Sequence, residues 1–252
     1  MNFRTLLREK LPWLFGLLRW LYRFPGHYWQ PPVGDICGIL EYFCGAANRQ
    51  ITFVQVGAND GNDEFASMRR QYHWAGVMVE PQKKVFDQLV HSNSEPGIAF
   101  EMAAISDRDG IKTLYEISFS TAQWATALAS FDYGVIEKHI ENGYIASCAM
   151  KEGVALPARI EDYCTREPVQ CITLKSLVQR HRLDSLDILL VDTEGYDYEV
   201  VKQIPQLSHP PKVVIFEHKH LTKSNYRAGI KMLRALKYDL HTDTCNCIAI
   251  HG

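Results

Sequence analysis

Apolar residues recur along the chain in short, nearly continuous blocks, and the segments between those blocks change period. The blocks at 51–56, 77–80, 99–105, 187–191 and 212–216 are rich in Val, Ile, Leu and Phe and show little polar alternation. Runs of that length and composition are expected of strands buried on both faces. The intervening segments 63–72, 83–91, 198–204 and 226–236 read as helices, and Thr173 is placed to cap a further helix through Leu177 and Val178. Further strands are expected at 112–117 and 169–174, and 238–240 with 247–250 reads as a closing hairpin. Strand and helix in regular alternation predict an α/β domain, a mostly parallel sheet with helices on both faces. Upstream, Asp35 is placed to cap a helix through Ile36, Ile39, Leu40, Phe43 and Cys44, whose spacing is helical.

The pattern fades over 118–168. Trp124, Phe131 and Tyr144 argue against disorder there, so the segment reads as an ordered insertion and a candidate substrate lid. The expected organisation is an N-terminal segment over 1–34 and one domain over 35–252 carrying that insertion.

The block at 51–56 stops at Gly57-Ala58-Asn59-Asp60-Gly61. Gly57 lets the backbone turn out of a buried strand and presents no side chain to a close ligand. Twenty-three positions later the next strand ends at Glu80. A glycine loop with an acid about 20 residues on is the general way such a sheet holds an adenosine, the carboxylate accepting from the ribose hydroxyls.

Composition narrows the options. Apolar residues at 46% and charged residues at 22% match an ordinary globular protein, and a net charge of −2 gives no basic excess for nucleic acid. Seven cysteines occur without a Cys-x-x-Cys pair, so no zinc motif or disulfide framework is indicated, and a reducing, cytoplasmic setting is expected. Residues 1–23 stand apart: Arg4, Arg8, Lys10, Arg19 and Arg23 against Glu9 flank Trp13, Phe15 and Trp20. The apolar run is too short to span a bilayer. Two readings stand, a helix at a membrane surface with its aromatics inserted, or a segment packed on its own domain.

The motifs taken together resemble the FkbM family of S-adenosylmethionine-dependent methyltransferases. They are Val56-Gly57-Ala58-Asn59-Asp60-Gly61, Val79-Glu80-Pro81, Ala103-Ala104-Ile105-Ser106-Asp107, Thr173-Leu174-Lys175-Ser176-Leu177, Val191-Asp192-Thr193-Glu194-Gly195 and Glu217, in that order over roughly 50–220. The resemblance implies a class I, Rossmann-like methyltransferase sheet whose last strand runs antiparallel. It also implies O-methyl transfer to a hydroxyl of a sugar, glycolipid or secondary metabolite, so a small-molecule or lipid-linked acceptor is the expected partner. Where the family carries Asp two residues before the first glycine, this chain carries Gln55.

On that footing Gly57, Ala58 and Gly61 make room for the methionyl part of S-adenosylmethionine. Asn59 and Asp60 either contact the cofactor or cap the next helix, Ala104 lies in the third motif, and Glu80 holds the ribose. A hydroxyl is a weak nucleophile at neutral pH, so a base is expected at a strand tip. Asp192 is the first candidate and His218 the second. No metal ligand belongs to the leading expectation. The alternative is a divalent ion held by Asp192, Glu217 and His218, while His218-Lys219-His220 taken alone is not a metal motif. A nicotinamide-dependent oxidoreductase fits less well because the loop lacks Gly-x-Gly-x-x-Gly, and a membrane scaffold would need no acids gathered at one edge.

Overall fold

The computed structural model describes residues 36–47 and 49–251. Asp35, Gly252 and the whole basic and apolar segment over 1–34, with its membrane-surface reading, lie outside the described residues.

Helix α1 (Ile36–Ala46) precedes strand β1 (Thr52–Val56), helix α2 (Ala66–Gln71), strand β2 (Ala75–Val79), helix α3 (Lys83–Ser92) and strand β3 (Ile98–Glu101). After the insertion come α7 (Leu174–Arg180), β7 (Ile188–Val191), α8 (Asp197–Val201), β8 (Val213–Glu217), α9 (Lys223–Ala235), β9 (Tyr238–Thr242) and β10 (Asn246–His251). Seven of the strands form one sheet in the order β3-β2-β1-β7-β8-β10-β9. All neighbours pair in parallel from β3 to β8, and β10 runs antiparallel to both β8 and β9. This is the expected sheet with an antiparallel last strand.

Why the central strands are apolar throughout is visible in their alternation. Val54 and Val56 of β1, Leu189 and Val191 of β7, and Val214 and Phe216 of β8 share one core with Leu177, Val200, Val201 and Leu233 from α7, α8 and α9. Phe53, Ile188, Leu190, Val213 and Ile215, the intervening residues, share another with Ile39, Leu40, Met68 and Leu89 from α1, α2 and α3. Every second side chain serves a different layer, so both faces are apolar except where a buried polar group has partners, as Gln55 of β1 does.

The apolar run 99–105 is not one strand. It breaks at Met102 and Ala103, after which β4 (Ala104–Ile105) leaves the main sheet and pairs in parallel with β6 (Cys164–Ile172). Strand β5 (Gly110–Ile117) pairs antiparallel with β6 from Gly110↔Cys171 to Ile117↔Cys164. The insertion fills the connection of this long hairpin. It comprises α4 (Gln123–Thr126), α5 (Tyr133–Glu141), α6 (Tyr144–Glu152) and a short 3₁₀ turn, and it has a small core of Ile117, Ala125, Leu128, Ile136 and Ile145.

Candidate active site

The carboxyl ends of β1, β2 and β7 open onto a cleft that is partly open to solvent. Its floor comes from the sheet, with Gly57, Glu80 and Asp192 among the lining residues, and part of its roof comes from the insertion, with Thr126, Ser130 and Phe131. This is where an open α/β sheet binds ligands.

The loop after β1 is constrained on every side. Gly57 sits at φ +76°, and a Cβ there would lie 1.7 Å from the carbonyl oxygen of Asp192, so the tips of β1 and β7 touch through the missing side chain. The backbone N–H groups of Gly57 and Ala58 both donate to the Val79 carbonyl at 3.0 Å. Asn59 takes a left-handed conformation, which Asn tolerates better than most residues, and its N–H donates to Glu80 Oε2 at 3.0 Å. From below, buried Arg69 donates to the Gly61 carbonyl at 3.0 Å and to Asn93 Oδ1 at 2.8 Å, while Asn93 Nδ2 donates to the Asp60 carbonyl at 3.0 Å.

Of the residues expected to meet a cofactor, Gly57, Asn59, Glu80 and Ala104 line the cleft. Ala58 is buried in the core against α1 and α2, Asp60 Oδ1 accepts from the Asn62 N–H at 2.9 Å, and Gly61 packs on Asn93. Those three shape the loop and do not line the cleft. Gln55 also turns away from it: its amide donates to Asp63 Oδ2 at 2.7 Å and accepts from Arg69 at 3.3 Å.

Glu80 is buried and holds three donors. Besides Asn59, the Gln82 backbone N–H reaches Oε1 at 2.9 Å and the Gln82 side-chain amide reaches it at 3.2 Å. Burial pushes its carboxyl up to about 7 even so, with Glu116 adding to the rise and the three donors opposing it. The Gln82 amide also donates to the Thr126 carbonyl at 2.9 Å, which ties the insertion to the acid.

Asp192 lines the cleft and is exposed to solvent there. The protein atoms crowded around it, then the charges of Glu64 and Asp63, raise its carboxyl to about 6. The second candidate base, His218, is elsewhere. Its ring lies 4.9 Å from the Tyr226 ring, with Nε2 3.3 Å from the Asp243 carbonyl, and it does not line the cleft.

A cluster that the sequence reading did not assemble lies behind Asp192. His220 Nε2 is 3.3 Å from Glu194 Oε2 and 3.8 Å from Glu217 Oε2. It is His220, two residues beyond His218, that meets Glu217, because the chain turns after β8 with the Leu221 N–H donating to the His218 carbonyl at 3.2 Å. Burial, then Asp192, Glu217 and Asp197, raise Glu194 to about 9, and burial with Asp192 raises Glu217 to about 7. Burial, Lys219 and His139 lower His220 to about 4. Burial and the like-charged neighbours thus disfavour the charged form of both partners in the 3.3 Å contact. One signal was available in the chain: Glu217 and His220 are three apart across a strand exit, a spacing that a single turn folds onto one side.

Three comparisons bear on this geometry. The Methyltransferase FkbM domain model matches residues 55–240. A comparison with curated proteins found no match. Among solved structures, the chain is similar to the delta-N METTL16 MTase domain at 11% identity and TM-score 0.39, covering 98% of this chain and 93% of that one. Among the described residues, no helix is long and apolar enough to cross a membrane.

Proposed function

The chain belongs to the FkbM methyltransferase family, and on that premise we propose that it is an O-methyltransferase that uses S-adenosylmethionine on a hydroxyl of a sugar, glycolipid or secondary metabolite. The observation that carries this reading is the contact between the two strand tips: Gly57 abuts Asp192 with no room for a Cβ, so a ligand laid along the glycine loop lies beside Asp192, which lines the cleft.

The residues present suit the cofactor. Glu80 keeps acceptor capacity for a ribose hydroxyl on Oε2, since two carboxylate oxygens offer about four lone-pair sites and three are engaged, only one of them on Oε2. Ala104, Ile105, Leu114 and Phe131 give an apolar wall for a flat ring. When bound, S-adenosylmethionine supplies a methyl group on sulfonium, which passes to the acceptor oxygen while the C–S electron pair stays on sulfur. The protein's part is alignment and deprotonation. Asp192 takes the hydroxyl proton, and Thr126, Ser130 and Phe131 on the insertion exclude water from above.

Calorimetry with S-adenosylhomocysteine, S-adenosylmethionine and NAD tests the cofactor assignment. The two adenosyl sulfur compounds should bind and NAD should not. Glu80→Ala should weaken binding by roughly 1.5–3 kcal/mol, the range for hydrogen bonds to a charged group. Asp192→Asn should keep cofactor affinity and lower methyl transfer to a responsive acceptor by about 100-fold or more. His218→Ala should leave turnover nearly unchanged, and the opposite ranking of these two variants would reassign the base.

A further inference from the structure

We propose that Glu194, Glu217 and His220 form a binding site for a divalent transition-metal ion beside the methyl-transfer cleft. One donor atom from each residue lies within 4.8 Å of the other two. The measured His220 Nε2 separations are 3.3 Å to Glu194 Oε2 and 3.8 Å to Glu217 Oε2. An ion bound at about 2.0–2.2 Å by each ligand holds its donors roughly 3–4.4 Å apart, a range that both separations from His220 meet.

Two further observations point to an occupant. The two oxygens that face His220, Glu194 Oε2 and Glu217 Oε2, are buried and accept no hydrogen bond. Buried acceptors in folded proteins nearly always have a partner. Independently, His139 on α5 is 92% buried (8% exposed), neither of its ring nitrogens has a partner, and its ring centroid is 5.4 Å from that of His220. The insertion has therefore carried an uncommitted imidazole to the edge of the same cluster. The alternative reading, with Asp192, Glu217 and His218 as ligands, is not met, because the His218 ring is turned to Tyr226.

The donor set selects the class of ion. Imidazole with carboxylates suits Mn²⁺, Fe²⁺, Co²⁺ or Zn²⁺, whereas Mg²⁺ and Ca²⁺ favour oxygen alone. No thiolate takes part, and three protein ligands leave coordination positions open, as in catalytic sites. Glu194 also lines the cleft. If the methyltransferase reading holds, an ion held by these residues would lower the pKa of an acceptor hydroxyl in the cleft, and Asp192 would take the proton. Metal binding itself does not depend on that reading.

The test uses the full chain, treated with chelator and desalted, then titrated with Mn²⁺ followed by paramagnetic resonance and with Co²⁺ followed by its visible spectrum. One equivalent should bind. Glu217→Gln and His220→Asn should each weaken binding at least tenfold, His139→Ala should weaken it less, and His218→Ala should match the wild type. Near-UV circular dichroism and S-adenosylhomocysteine affinity, measured on the same samples, report the fold. No stoichiometric binding by the wild type, or unchanged binding in a folded Glu217→Gln/His220→Asn double variant, would overturn the site. Loss of S-adenosylhomocysteine binding alone would instead count against the methyltransferase reading and leave the metal site standing.

Discussion

At the scale of single residues, Glu80 and Gly57 carry the most consequence. Glu80 ionises near its ordinary 4.5 in an unfolded chain and near 7 in the fold. Between those values the folded protein keeps a proton that the unfolded chain has released. The stability contribution is complete below the lower value and is lost as pH rises through the upper one, about 3 kcal/mol in all. Denaturant titrations of the cofactor-free protein from pH 5 to 8 should show this fall, and Glu80→Gln should reduce the slope. Ribose hydroxyls favour the ionised form, so S-adenosylhomocysteine should bind more tightly as pH rises toward 8 in the wild type and not in Glu80→Gln. A slope shared by both proteins would remove Glu80 from the site. Gly57→Ala forces a Cβ to 1.7 Å from the Asp192 carbonyl. It should cost roughly 3 kcal/mol or more of stability, or abolish cofactor binding by pushing the two strand tips apart. Gln55 shows how a departure from the family pattern is absorbed. Its amide works beneath the loop, donating to Asp63 and accepting from Arg69.

Among the elements, strands buried on both faces were the most readable, while the exposed half of one strand left no apolar mark. β1, β2, β7 and β8 stand out because two cores claim alternate residues of each. Leu189→Ala in β7 should accordingly lower the unfolding free energy by about 2–5 kcal/mol with an unchanged denaturant slope. β6 was expected only from 169 because its first half, Thr165-Arg166-Glu167-Pro168, is exposed and pairs only with β5. The break between β3 and β4 left no mark because Ala99 to Ile105 is mostly apolar on both sides of it. α6 went unread for a similar reason, since only Ile145 and Ala149 of its nine residues are buried, too few to set a period. The site was partly legible on the same terms. Strand-tip residues such as Glu80 and Asp192 follow from the strands, whereas His220 and His139 depend on a turn after β8 and on how the insertion packs. The spacing of Glu217 and His220 hints at the first, and no local spacing marks the second.

For the molecule as a whole, the first sheet strand begins at Thr52, so removing residues 1–23 should leave the sheet and cleft folded. That segment carries a formal +4, from five basic residues and one acid, beside Trp13, Phe15 and Trp20. If it works at an anionic membrane, the full chain should sediment with anionic liposomes and be released in part by salt, each basic residue contributing about 1 kcal/mol. Equal sedimentation of the shortened chain would discard the membrane reading, and its aggregation would favour packing on the domain. The strand order has a separate consequence for biosynthesis. β10, the last strand described, sits inside the sheet between β8 and β9. During translation β8 is made with an open edge, and β9 has no neighbour until residues 246–251 have left the ribosome. Until then the nascent chain exposes an unpaired strand edge of the kind that recruits other chains. Expression should therefore depend on chaperones that hold the chain through its final strand, and a ribosome-stalled chain ending before 246 should remain open to proteases that the finished protein resists.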